Sequence, residues 1–274
     1  MRKRKLYHEL TFTDDFMFWK VMEAHPELGK EVLELILGHP IGELEVVDGQ
    51  KTCKVSYDSR GIRMDVFVVD DRSRFYDVEM QAASESQLPK RMRYYGDVID
   101  LSDIQTGADY EDLKETYIIF ICLKDPFEKN LPLYEFRTTC LQDPTVAYDD
   151  AVRRIVVNAG CTRKDVPEGL KTFFSFLKNG KGKDPLTNRL ADAVAKAISR
   201  DDWRVEYMKF EILLSKERKE GREEGLTAGL QEGKILERVK TLHRFHVSDE
   251  DIIAEIMRDF GLSREDAEEY MKSE

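Results

Sequence analysis

Two short runs of sequence, residues 62–70 and 74–81, alternate apolar and polar side chains on either side of Asp71, Arg72 and Ser73. They read as a β-hairpin. Successive side chains on a strand point to opposite faces. One face then carries Met64, Val66, Val68, Tyr76, Val78 and Met80, all able to pack into a core, and the other carries Arg63, Asp65, Asp77, Glu79 and Gln81. With an odd loop centred on Arg72, paired positions sum to 144 and Asp65 faces Glu79, with Cβ atoms about 4.5 to 5.5 Å apart. Two carboxylates so placed repel unless one is protonated or a cation lies between them. Hard divalent ions such as Mg²⁺ take carboxylate oxygens, so the pair is a candidate metal site. A loop of even length shifts the pairing by one residue, and no glycine marks the turn. An exposed strand face also takes Asp, Glu, Arg and Gln for solubility alone. Metal site and solvated face both stand at this level.

The elements that must position these residues follow from periodicity. Thr13, Asp14 and Asp15 precede Phe16, Phe18, Trp19 and Met22, the pattern of an N-capped amphipathic helix, and a second helix covers 28–37 up to Gly38. Residues 44–57 turn towards strand. Residues 88–102 read as a helix with Pro89 in its first turn, and 116–123 (TYIIFICL) as a strand covered on both faces. Strands near 134–138 and 154–157 and helices near 170–177, 186–199 and from 203 onward complete this half. The order helix, strands, helix, strand defines a mixed α/β domain. Gly221, Gly225, Gly229 and Gly233 recur every four residues. Each costs a helix roughly 1 kcal/mol relative to alanine, so that segment is either frayed or held by a partner. Residues 248–260 and 263–271 look like two capped helices, Ser263 to Asp266 forming a capping box. The reading divides the chain into a domain at 1–214 and a helical appendage at 215–274, the latter a candidate surface for homo-oligomers.

Composition narrows the function. The 274 residues carry a formal net charge of -11, so nucleic acid is not coated by bulk attraction and any contact is local. Residues 201–274 hold 20 acidic and 13 basic side chains, a net of -7. Cys53, Cys122, Cys140 and Cys161 form no CxxC pair, which argues against a zinc cluster. No stretch of about 18 apolar residues occurs, and the start, Met1-Arg2-Lys3-Arg4-Lys5, leads into Glu9 and Asp14 without an apolar run. The expectation is a cytoplasmic protein. His243 and His246 are read as surface or packing residues, and no phosphate-binding GxxxxGK[ST] or GxSxG serine motif appears.

Segments 10–22 (LTFTDDFMFWKVM), 61–81 (GIRMDVFVVDDRSRFYDVEMQ) and 88–127 (LPKRMRYYGDVIDLSDIQTGADYEDLKETYIIFICLKDPF) together resemble the PD-(D/E)xK nuclease family transposases, relatives of the recombination-promoting (Rpn) nucleases. The likeness continues more loosely to Glu206-Tyr207-Met208. It implies a restriction-endonuclease-like α/β core, a central mixed sheet flanked by helices with the acidic motif on its hairpin. The motif Asp falls on Asp65, the motif Glu on Glu79 and the third position on Gln81. The wider superfamily usually has lysine there, while this family commonly has glutamine, which hydrogen-bonds but carries no charge. Arg91, on the helix after the hairpin, and Arg63, beside the acidic pair, are candidates for the missing cation, with a structural ion pair as the alternative for both.

The resemblance further implies Mg²⁺ or Mn²⁺ held by Asp65, Glu79 and the backbone carbonyl of Met80. Asp14 or Asp15 is a candidate outer carboxylate, or a plain helix cap. Tyr94 and Tyr95 are candidate DNA contacts, or core. The implied activity is metal-dependent endonucleolytic hydrolysis of DNA, linked to recombination or mobile elements. The alternatives are a weakly cleaving DNA-binding accessory protein and a protein-interaction module on the same scaffold.

Overall fold

A computed structural model describes residues 5–46, 52–53, 62–82, 87–104 and 107–272. The chain forms two compact units, Met1–Arg204 and Val205–Glu274.

The first unit opens with helices α1 (Asp15–Ala24) and α2 (Pro26–Leu37). Pro26 suits the first turn of α2, whose own amide would lack a partner, and Gly38 ends it at φ 74. Asp14 occupies the N-cap position of α1 but makes no side-chain cap bond. Its Oδ2 turns back instead, accepting from the Thr11 amide at 2.8 Å, the Thr11 hydroxyl at 2.9 Å and Lys5 Nζ at 2.6 Å.

The strands β1 (Leu44–Val46), β2 (Thr52–Cys53), β3 (Ile62–Arg63), β4 (Val66–Asp70) and β5 (Phe75–Gln81) follow. The strand reading of 44–57 resolves into β1 and β2, with 47–51 and 54–57 lying outside the described residues. Next come α3 (Leu88–Asp103), β6 (Thr116–Cys122), β7 (Leu133–Phe136), β8 (Val152–Asn158), α4 (Glu168–Asn179) and α5 (Pro185–Ile198). Six strands form one sheet in the order β1-β4-β5-β6-β8-β7, and β2 and β3 pair separately. Strands β5, β6 and β8 run parallel, and the remaining pairs are antiparallel. The three parallel strands need long crossovers, which α3 supplies between β5 and β6.

Each face of this sheet is covered. Val66, Val68 and Val78 line a small gap with Met22, Gly29, Leu33 and Leu44, so the even-numbered hairpin side chains meet α1 and α2. Phe67 and Phe75 instead join Leu88, Met92, Tyr95, Val98 and Ile99 of α3 over Ile118, Phe120 and Val156. Every residue of β6 is buried, as its unbroken apolar run requires. Met64 departs from the expected alternation: it packs in the α3 cluster, not beside Val66 and Val68. The chain bends at Asp65, between β3 and β4, and the bend resets which side chain faces which layer.

The second unit comprises the greater part of α6 (Asp201–Arg244), with α7 (Asp249–Phe260) and α8 (Arg264–Lys272). Ile235, Val239 and Leu242 of α6 bury against Ile252, Ile253, Ile256 and Ala267. Ser248 and Ser263 cap the two short helices through the amides of Asp251 and Asp266. The four spaced glycines are helical, and a Cβ at any of them meets nothing within 4 Å.

No helix among the described residues is long and apolar enough to cross a membrane.

Candidate active site

Pairing in the hairpin runs Val66↔Val78, Phe67↔Asp77, Val68↔Tyr76 and Val69↔Phe75. Each pair sums to 144, the odd-loop register. Asp65 lies one residue beyond the end of this ladder, where its partner is Glu79. Their contact is reciprocal: the Asp65 amide donates to Glu79 Oε1 at 2.8 Å, and the Met80 amide donates to Asp65 Oδ2 at 3.0 Å. The bend at Asp65 removes a ladder partner from β5, and the Asp65 carboxylate takes its place. Both acids are buried, Asp65 at 8% and Glu79 at 2% exposure.

Helix α3 brings the cation. Arg91 Nη2 donates to Glu79 Oε2 at 2.8 Å and Nη1 to Gln81 Oε1 at 3.0 Å. One turn on, the Tyr95 hydroxyl donates to Glu79 Oε2 at 3.3 Å and accepts from Arg91 Nη2 at 2.9 Å. The i, i+4 spacing places Arg91 and Tyr95 on one helical stripe, and the i, i+2 spacing places Glu79 and Gln81 on one strand face. The guanidinium lies over the Phe120 ring at 5.0 Å, which fixes its plane. Thus the charge that Gln81 lacks reaches the strand from the neighbouring helix.

Electrostatics at this end of the hairpin are strained. Burial, and then the neighbouring Asp77, push the Glu79 carboxyl up to about 8, against the opposing pull of Arg91, the Asp65 amide and Tyr95. Asp77 is fully buried, and among the described residues neither of its carboxylate oxygens has a hydrogen-bond partner. Burial and the charge of Asp65 raise it well above the usual carboxylate range, with Arg91 opposing.

The expected site residues fare differently. Asp65, Glu79, Met80, Gln81 and Arg91 come together. Tyr95 is buried with its hydroxyl turned to Glu79, and Tyr94 packs partly buried against the same cluster. Asp15 is exposed on the first turn of α1, and the hydrogen bonds described for Asp14 serve the turn before that helix. Arg63 lies on β3, its side chain outside the described residues. Asp77 and the hydroxyl of Tyr95 are the parts to which sequence reasoning assigned no role in the site. Strand alternation already set Asp77 on the face of Glu79, and that was the only signal.

Among the described residues no three His, Cys, Asp or Glu side chains converge as a ready metal cage. The donors at the Asp65–Glu79 contact are nonetheless all oxygens, the chemistry that a hard divalent cation requires.

A mixed sheet flanked by helices, with two acids meeting across its hairpin, is the architecture of a PD-(D/E)XK nuclease domain. Residues 13–141 match the family model described as PD-(D/E)XK nuclease family transposase, and this stretch of the chain belongs to that family. The match contains Asp65, Glu79, Gln81, Arg91 and Tyr95 and ends before β8. No curated protein and no solved structure matches the chain.

Proposed function

We propose that the protein is a cytoplasmic DNA endonuclease, dependent on Mg²⁺ or Mn²⁺ and connected with recombination or mobile elements. The observation that carries this reading is the Arg91 guanidinium spanning Glu79 and Gln81 beside Asp65. It supplies the third, cationic element of the motif from a different part of the chain.

Asp65, Glu79 and the Met80 carbonyl are the ligands this reading assigns to the cation. Backbone direction on β5 favours the last of these. The Gln81 carbonyl and the Phe75 amide both bond towards β6, so the even residue Met80 directs its polar groups to the β4 side, where Asp65 lies. When bound, a divalent cation polarises a phosphoryl oxygen and lowers the pKa of a water molecule.

The chain's own residues do the rest. Asp65, held by the Met80 amide, and Glu79, held by the Asp65 amide, keep each other in register. Arg91 presents planar, permanently charged donors matched to phosphate oxygens. Gln81, anchored through Oε1, has its amide oriented by the same arginine. Charge along α3 supports an approach of DNA from its first turns. Lys90, Arg91 and Arg93 begin the helix, whereas Asp97, Asp100 and Asp103 end it. That polarity opposes the helix dipole, so it costs stability and suits a phosphate-facing N-terminal half.

Plasmid nicking with and without Mg²⁺, for the wild type, Asp65→Ala and Glu79→Ala, tests the assignment. Each substitution is expected to reduce metal-dependent cleavage by on the order of 10³-fold. Cleavage surviving both ends the reading. The ion pair that Arg91 already makes with Glu79 favours one rival, a DNA-binding protein that cleaves weakly. Retention of DNA in a gel shift without metal-dependent nicking selects it.

A further inference from the structure

Asp77 has no structural employment. It sits in the middle of β5, opposite Phe67 on one side and Ile118 on the other. Its side chain is completely buried, and among the described residues neither oxygen has a hydrogen-bond partner. Buried polar groups are nearly always partnered, and an exception calls for an explanation. Asp70, on the same hairpin, shows what a structural acid here looks like. Its carboxylate accepts from the amides of Arg72 and Arg74, from the Arg74 guanidinium and from the Tyr76 hydroxyl. Among the described residues nothing comparable surrounds Asp77, and an amide or an apolar side chain of similar size would pack there without its desolvation penalty.

What does lie near Asp77 is the proposed site. It is two residues before Glu79 on the same strand face, and Asp65 and Arg91 are close enough to act on it electrostatically. We infer that Asp77 is a positioning residue of the cation site, a buried carboxyl group two residues from Glu79 on the same strand face that strengthens divalent-cation binding there. This inference rests on the reading of Asp65 and Glu79 as cation ligands. Asp77 does not complete a ligand cage, since no three such side chains converge among the described residues. It acts through an interior where a nearby carboxyl group is poorly screened. Groups in this position commonly tune the affinity of the ligands beside them.

The experiment is calorimetric titration of the full chain with Mn²⁺, for the wild type, Asp77→Asn and Asp77→Val, alongside thermal unfolding of each without metal. Both variants are expected to bind Mn²⁺ about 10- to 100-fold more weakly and to unfold at a higher temperature than the wild type in the absence of metal. Unchanged Mn²⁺ affinity in either variant overturns the inference and leaves the reading of Asp65 and Glu79 intact. A lower metal-free unfolding temperature for both variants also overturns it, because Asp77 then serves the fold. A wild type that binds no Mn²⁺ overturns the cation reading itself, and this inference with it.

Discussion

Asp70 lies at the turn end of the β4–β5 hairpin, and Asp77 and Glu79 lie towards its open end. All three are buried acids. At the turn, burial pushes Asp70 up, but hydrogen bonds from Arg74 and Tyr76 and the Arg74 charge outweigh it, so its carboxyl titrates below the ordinary range. At the open end burial wins: Glu79 rises to about 8, and Asp77 rises with it. The difference lies in the partners. A carboxylate given two amides, a hydroxyl and a guanidinium is a structural device, whereas adjacent carboxyl groups sharing one arginine store unfavourable free energy. That energy is released by a cation or by a proton.

The two ends should therefore respond to pH with opposite signs. Folded Glu79 titrates near 8 and its ordinary value is 4.5, so above pH 4.5 the folded chain holds a proton that the unfolded chain releases. Its stabilising contribution is complete below that value and is lost as pH rises through about 8, on the order of 5 kcal/mol in all. Urea unfolding of metal-free protein near pH 5 and near pH 8.5 is expected to show this decline, and Glu79→Gln should remove most of it. A flat profile in the wild type breaks the comparison. Asp70 works the other way: its contribution is present above 3.8 and is lost as pH falls through its lowered folded value.

Next in size is Asp70→Asn, expected to cost about 3 kcal/mol in urea unfolding because Arg74 is left without its buried partner. It should leave Mn²⁺ affinity unchanged. A stability cost under about 1 kcal/mol would mean that the turn end is not the structural one.

Arg91→Ala is expected to lower metal-dependent nicking by about 100-fold, and Arg91→Lys should recover only part of this, since an ammonium cannot reproduce the fork that spans Glu79 and Gln81. Full activity in Arg91→Ala returns the cationic role to another side chain. The smallest effect is that of Tyr95→Phe, which removes one donor from Glu79 and should cost about 1 kcal/mol. Thermal unfolding measures it, and a stabilised variant would show that this hydroxyl is not a partner of Glu79.

Much of this hairpin was legible before any coordinates. The apolar and polar alternation offered two registers, set by whether the loop is odd or even, and the structure has the odd-loop pairing that sums to 144. The unbroken run of β6 and the stripe Leu88, Met92, Tyr95, Val98 and Ile99 on α3 were equally readable. Met64 was not. Its side depends on the bend at Asp65, and a bend that interrupts two strands leaves no trace in a pattern of period two.

Local spacing also says nothing of whether a polar residue finds a partner. Asp70, Asp77 and Glu79 are the same chemistry in the same strands, and each was compatible with a solvated face. Sequence determined which residues share a face within the two paired strands of the hairpin, and which family model residues 13–141 match. Only the tertiary structure decided that α3 crosses the sheet where Arg91 reaches Glu79 and Gln81, and that among the described residues no donor reaches Asp77. Contacts between elements distant in the chain depend on the depth and direction at which a helix packs, and these are set by the whole core.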